Sequence, residues 1–336
     1  MKKIKSFNDG TVLYTREKAS WVGLIKNLQK YIFNHGKHED LKPEWDQEST
    51  HCEICRSKLK QFYKYKESEI HLCPNCGLYT ASGIDFDFEL NANIDWDARE
   101  DALKKVRIHN FKIITDYLKR HLPPQAVGLE VGSAYGWFLD MINHDYQCSG
   151  IEPHKEIADT NQKHTVFNGF FPYDLPEEIS NLDFIVFNDV LEHIPNCNQV
   201  ISQCYSLLKE NGLIIVNIPL STGILFRIAN NFARFGYDND LIRLWQFKFN
   251  SPHLYYFNKN NLILLGKKHG FNFLYYQDLM VLDKTKIHKR VTIDATQKHA
   301  WIKSLLVMLL WPILNLCSKD VGFVVLQKTI GPSTKD

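Results

Sequence analysis

The 336-residue chain lacks an excess of either charge: 40 Lys and Arg against 38 Asp and Glu leave a formal +2. So small a surplus offers no electrostatic footprint for a long phosphate backbone. Repeats and low-complexity segments are missing as well, which excludes solenoids and disordered arrays. The opening stretch "MKKIKSFNDGTVLYTREKAS" has lysines but no apolar run behind them, so no secretory signal is expected. A cytoplasmic setting follows as the expectation, with the eight cysteines reduced or ligating metal rather than paired as disulfides. No apolar run is long enough to span a bilayer. The longest, "AWIKSLLVMLLWPILNLC" (300–317), is broken by Lys303, Pro312 and Asn315 and reads as a buried or surface-docking helix. The dinucleotide fingerprint G-x-G-x-x-G is absent too.

What is present is ordinary globular material, 44% apolar and 23% charged, enough for one large core and a satellite domain. Residues 1–47 form a polar extension with one amphipathic piece, "WVGLIKNLQKYIF", that predicts a short helix. A cysteine-bearing segment occupies 48–80, and 81–125 read as a linker followed by a leading helix that "LPP" stops. From 126 to 330 apolar runs alternate with helical patterns. The runs are "AVGLEV", "CSGIE", "TVFNG", "DFIVFN", "LIIVNIP", "FNFLYYQDLMVL" and "VGFVVLQK". Continuous apolar strands separated by helices predict an α/β, Rossmann-like sheet of about seven strands with helices on both faces.

Within 48–80, Cys52, Cys55, Cys73 and Cys76 stand as C-x2-C-x17-C-x2-C. Two knuckles at that separation bring four thiolates to one tetrahedral Zn2+. Four filled positions leave none open, so the ion is expected to be structural in a small zinc ribbon. Gly77 suits the second knuckle turn; His51 and His71 read as bystanders. Cys148, Cys197, Cys204 and Cys317 are scattered and read as small apolar residues.

The stretch "GLEVGSAYGWFLDMI" (128–142) is a strand, a turn of small residues and a helix start. Small residues let a ligand approach the backbone, although a plain strand-to-helix turn reads the same way. Glu130 sits inside the strand, where a carboxylate would repel a pyrophosphate and welcome an amine. Glu152, in "GIEPH" at the end of the next strand, can accept both hydroxyls of a ribose, or be a solvated strand-end acid. Amine plus ribose without phosphate describes S-adenosylmethionine.

"LEVGSAYGWFLDMI", "GIEPH", "DFIVFNDVLEHIPN", "LLKENGLIIVNIP" and "HLYYFNKNNLILLGKKHGF" stand in the order seen in class I S-adenosylmethionine-dependent methyltransferases. The chain resembles that family over roughly 100–330, most closely the ubiquinone and menaquinone methyltransferase subgroup. The zinc ribbon before it is similar to that of sugar methyltransferases from bacterial polysaccharide pathways. Ala134 departs from the family pattern, which has a glycine there.

The resemblance implies that Glu130 holds the methionine amino group, that Gly132 and Gly136 lie against the methionyl part and ribose, and that Glu152 takes the ribose hydroxyls. It implies adenine near Gly169, Phe170 and Phe171, though both phenylalanines read equally as core. Asn188 and Asp189 are expected to face the reacting methyl group. His193 is either a general base or a cap on local backbone; Glu192 reads as orienting its neighbours. His253, in "HLYYF", is a second candidate base. The insertion 220–250 is expected to cover the acceptor. Its Arg227, Arg234, Arg243, Trp245, Phe247 and Lys248 suit a phosphorylated, stacking acceptor or, alternatively, an amphipathic helical pair over the core. The leading expectation is transfer to a small-molecule or sugar-type acceptor. A lipid- or quinone-acting enzyme making peripheral membrane contact through 301–317 is the alternative, and an RNA methyltransferase is disfavoured by the charge balance.

Overall fold

The computed structural model describes residues 2–6, 12–15, 50–84, 96–247, 251–281 and 300–329. The chain falls into two units, Met1–Glu44 and Trp45–Asp336. In the first, β1 (Lys2–Ser6) and β2 (Val12–Thr15) pair antiparallel. The amphipathic piece "WVGLIKNLQKYIF" and Lys248 lie outside the described residues.

The second unit begins with β3 (Lys60–Tyr65), β4 (Ser68–Leu72) and β5 (Tyr79–Ser82), followed by helix α1 (Trp96–His121). Next come β6 (Val127–Val131), α2 (Trp137–Ile142), β7 (Gln147–Glu152), α3 (Lys155–Ala158), β8 (Val166–Asn168) and β9 (Leu182–Asn188). A 3-10 turn (Leu191–His193) leads to α4 (Cys197–Leu207) and β10 (Leu208–Pro219). Then follow α5 (Ile224–Ala233), α6 (Asn239–Leu244), β11 (Tyr255–Tyr256), α7 (Lys259–Lys268) and β12 (Phe271–Asp278). Helices α8 (Ala300–Leu309) and α9 (Trp311–Leu316) precede the last strand, β13 (Val321–Lys328).

Seven strands form one sheet in the order β12-β13-β10-β9-β6-β7-β8. All neighbours pair parallel except β13, which runs antiparallel to both β10 and β12. Each of the seven apolar runs supplies one of these strands. Strand β9 shows why they read as continuous. Ile185 and Phe187 belong to one buried cluster, with Val200, Ile201 and Cys204 of α4 and Leu262 and Leu265 of α7. Phe184 and Val186 belong to the opposite cluster, with Phe111, Ile114 and Leu118 of α1 and Phe138 and Leu139 of α2. A strand buried on both faces has no polar side to show. Helix α1 presents Phe111, Ile114 and Leu118 at helical spacing and carries Lys119, Arg120 and His121 in its last turn, where cations suit the C-terminal dipole before "LPP" ends it.

The chain leaves β6 toward β7 and β8 on one side, then returns to β9 on the other side of β6. That reversal opens a crevice beyond the carboxyl ends of β6 and β9, where ligands of open α/β sheets bind.

The cysteine segment is not a separate bead. Strands β3, β4 and β5 form a second sheet with β11 at its edge, through Tyr255↔Thr80 and Tyr256↔Tyr79. Cys52, Ile54, Leu59, Cys73 and Leu78 share a core with α4 and α7. The insertion forms α5 and α6, whose Phe226, Leu241 and Ile242, with fully buried Trp245 and Phe247, pack on Ile70 and Tyr256. Of the two readings of 220–250, Trp245 and Phe247 take the core-covering one.

Candidate active site

Strand β6 ends at Val131, and the chain turns sharply through Gly132 (φ +71°) and Gly136 (φ +73°) into α2. A side chain at Gly132 would meet Val190 Cγ2 at 2.5 Å and one at Gly136 would meet Asn161 Oδ1 at 2.2 Å. Both glycines are therefore required by the turn's own packing and left-handed backbone. Ala134 has φ +44°, so the alanine occupies a left-handed conformation that glycine adopts without strain. Its carbonyl accepts from Asn161 Nδ2 at 2.7 Å.

Two carboxyl groups lie at the tips of the adjacent strands. Glu130 is opposite Gly150 in the β6–β7 ladder, two residues from Glu152. Glu152 accepts from the Ala134 amide at 3.0 Å on one oxygen and from the His154 amide at 3.0 Å on the other. Burial pushes its pKa up to about 7 against these two bonds. Glu130 accepts from Asn188 Nδ2 at 2.9 Å through Oε1, while its buried Oε2 has no partner among the described residues. Burial, with the nearby Glu152 charge, raises Glu130 to about 8 despite the Asn188 bond. A buried polar atom left without a hydrogen-bond partner costs roughly 1–3 kcal/mol.

Asn188 is positioned in turn by Asn217 of β10, whose Nδ2 donates to Asn188 Oδ1 at 3.2 Å. This relay, Asn217 to Asn188 to Glu130, crosses three neighbouring strands. Asp189 has φ +55° and donates its amide to the Asn217 carbonyl at 2.9 Å. Its carboxylate lies 3.8 Å from Arg107 Nε of α1. Neither Asn217 nor Arg107 carries a motif signal; only the periodicity of their elements placed them nearby.

Past β9, His193 Nδ1 is 2.8 Å from the Pro252 carbonyl. A carbonyl only accepts, so Nδ1 carries the proton and Nε2 keeps a lone pair. His253 lies beside it, the ring centroids 4.7 Å apart. The His253 Nε2 is 2.8 Å from Gln246 Nε2, so the amide donor occupies that lone pair. Glu192, 3.8 Å from His193 Nε2, is pushed well above the usual carboxylate range by burial and by the Asp189 charge. Donor atoms of Glu192, His193 and His253 all lie within 4.8 Å of one another.

On the far side of Glu152, Gly169 donates to the Glu152 carbonyl at 3.1 Å and Phe170 is half-buried beside it. The Phe170 amide donates to Asp174 at 2.8 Å. Phe171 instead points into the core, edge-on to Phe187 at 5.9 Å.

The four ribbon thiols converge within 4.8 Å, with Cys52–Cys76 and Cys55–Cys73 sulfur separations of 3.5 and 3.4 Å. Sulfur pairs on a tetrahedral zinc with bonds of about 2.3 Å lie just under 4 Å apart, so this donor set fits such an ion. The knuckles close through Arg56 N to Cys52 O at 2.9 Å and Gly77 N to Cys73 O at 3.0 Å. Asn258, at the start of α7, donates to the Cys76 carbonyl at 3.1 Å. Tyr255 of β11 donates to Glu53 Oε1 at 2.7 Å, fastening the first knuckle to the loop that bears His253.

An uncharacterized protein of Methanocaldococcus jannaschii is 32% identical over 112 residues, which cover 32% of this chain and 51% of that protein; the chain thus spans about half the length of that relative. A chain of the Haloferax volcanii complex of the Trm112 methyltransferase activator superposes with a TM-score of 0.48 at 10% identity, covering 70% of this chain and 96% of that one. The magnesium protoporphyrin IX methyltransferase of Synechocystis, solved with S-adenosylhomocysteine, gives 0.45 at 9% identity over 68% and 87% of the two chains. A family model described as a methyltransferase domain matches residues 103–276, just over half of the 336. Those matched residues contain Glu130, Glu152, the ends of β6 and β9 and the His193 loop, and on that match the chain belongs to the methyltransferase-domain family.

Proposed function

We propose that this methyltransferase modifies a small-molecule or glycan-precursor acceptor, a sugar or nucleotide sugar of a cell-surface polysaccharide pathway, with a structural zinc ion in its cysteine module. The observation that carries the cofactor assignment is the buried, unpartnered Oε2 of Glu130 beside Glu152. Glu130 would hold the amino group of S-adenosylmethionine and Glu152 its ribose hydroxyls. Backbone at Gly132 and Gly136 would flank the methionyl part, Gly169 and Phe170 the adenine, and Asn188 and Asp189 the side facing the acceptor. Phe171 supports that wall from the core rather than touching the ligand.

S-adenosylmethionine supplies a methyl group already activated on a sulfonium. The chain's contribution is therefore alignment, exclusion of water and management of one proton. His193 is the base best fitted to that last task, because the Pro252 carbonyl holds its Nδ1 proton and leaves the lone pair on Nε2. His253, with Nε2 engaged by Gln246, buttresses it. Both imidazoles are recessed, the His193 side chain 13% exposed and His253 buried. That recess suits a small acceptor better than the face of a nucleic acid.

An assay with labelled donor against nucleotide sugars, quinone precursors and RNA tests the reading. Incorporation into a nucleotide sugar is expected; label in RNA or quinone precursors alone refutes the acceptor class. His193→Ala should lower kcat by roughly 10²–10⁴-fold for a hydroxyl acceptor, with cofactor affinity retained.

A further inference from the structure

Helices α8 and α9 are built inside out. Ser304 is buried, and Val307, Trp311 and Leu314 are half-buried along the same stripe. Facing away are Trp301, Ile302, Leu305, Leu306, Met308, Leu309, Leu310, Ile313 and Leu316, each more than a third exposed and Leu316 89%. At 100° per residue the outward apolar arc from Met308 round to Leu310 covers about 200° of the helix. A helix packed on a soluble neighbour presents a narrower stripe, with polar residues opposite. Ordinary monomers seldom expose contiguous apolar patches larger than a few hundred Å2, and nine large side chains exceed that.

A second exposed apolar face adjoins through the chain. The segment after α9 caps the start of α5: Asp320 accepts from the Leu225 and Phe226 amides at 3.1 and 2.8 Å, and Ser318 donates to the Thr222 carbonyl at 2.9 Å. From that junction α5 exposes Ile228, Phe232 and, just beyond its end, Phe235, spaced four and three residues apart on one face. Arg227 and Arg234 are exposed beside them.

The charge pattern selects the occupant. No Asp or Glu occurs from 295 to 319 or from 220 to 237, whereas those stretches contain Lys298, Lys303, Lys319, Arg227 and Arg234. Exposed apolar side chains with Trp301 among them, in stretches whose only charged residues are cations, match an anionic bilayer surface: apolar groups enter the acyl boundary and cations meet the headgroups. A second copy of the same surface would bring like charges together. No helix among the described residues is long and apolar enough to cross a membrane. We infer that α8, α9 and the outer face of α5 dock this protein on an anionic lipid surface. The inference goes beyond the acceptor assignment and stands without it, since docking needs neither cofactor nor acceptor.

The test is flotation of the full chain with vesicles of phosphatidylcholine alone or with phosphatidylglycerol added. The wild type should float with the anionic vesicles at least tenfold more than with the neutral ones. Leu305→Asp/Leu309→Asp should lose at least tenfold of that flotation with an unchanged thermal melt, and Phe232→Asp should lose part of it. The proposal is overturned if the wild type stays in solution with both vesicles, or floats no better than the double variant. It is equally overturned if sedimentation without lipid shows a dimer that the double variant converts to monomer.

Discussion

The molecule holds two clusters of acidic side chains that differ in one respect: whether each donor atom is already matched. In the ribbon, four sulfurs converge on one another within 4.8 Å, and their knuckle backbones are tied to α7 and β11. Nothing there is left for a substrate. At the tips of β6 and β7, Glu152 has both oxygens engaged by amides, but Glu130 keeps a buried oxygen with no donor. A closed donor set holds a fold together, and an open one waits for a ligand. Stability should therefore concentrate in the first centre and affinity in the second.

The largest effect expected on this contrast comes from the ribbon. Metal binding to such modules contributes on the order of 10 kcal/mol. Cys73→Ser, or a strong chelator, should unfold β3–β5 together with the β11 edge they pair with; far-UV circular dichroism alongside zinc release reads this. A ribbon that lost its metal without any change in β11 or His193 would break the link between the two centres. Next in size is the carboxylate centre. Glu152→Ala should weaken S-adenosylmethionine binding by roughly 1–3 kcal/mol, about 5–150-fold, by leaving ribose hydroxyls unpaired.

The raised carboxyl groups also impose a pH dependence. An acid whose folded pKa is raised gives stability that is fully present below its unfolded value of about 4.3. That stability is lost as pH rises through about 7 for Glu152 and about 8 for Glu130. Urea midpoints of the ligand-free protein should fall between pH 5 and 9, and Glu130→Gln should flatten the decline. An unchanged slope in that variant would mean that Glu130 is already ionised at low pH. The smallest effect belongs to Ala134→Gly, which relieves the left-handed alanine and, offset by glycine's greater unfolded freedom, should move stability by no more than about 1 kcal/mol.

Much of the fold was legible because its signals are local. Seven apolar runs read as seven strands, and the cysteine spacing points to a convergent thiol set. Glu130 and Glu152 were legible because one lies inside and the other ends a readable strand. What escaped depends on distant pairing. Asn217 matters only because β10 lies beside β9 and brings it to Asn188. Strand β11 is two residues long, too short for any period, and becomes a strand only because β5 offers an edge. Trp245 and Phe247 combine the residue types of a stacking platform with those of a core, and only the position of the ribbon sheet decides between them. The apolar stretch "AWIKSLLVMLLWPILNLC" left a buried and a surface-docking reading open, and the exposure of Leu305, Leu309 and Leu316 favours the second.

The most direct test of the account is calorimetric titration of S-adenosylmethionine into the wild type and Glu130→Gln near pH 7, in two buffers of different ionisation enthalpy. One saturable site is predicted for the wild type, with protons released as the ammonium draws Glu130 into its charged form, and with binding at least tenfold weaker and the release diminished in the variant. Equal affinity in the two proteins, with no proton released by either, would contradict the assignment of Glu130 as the cofactor's anchor.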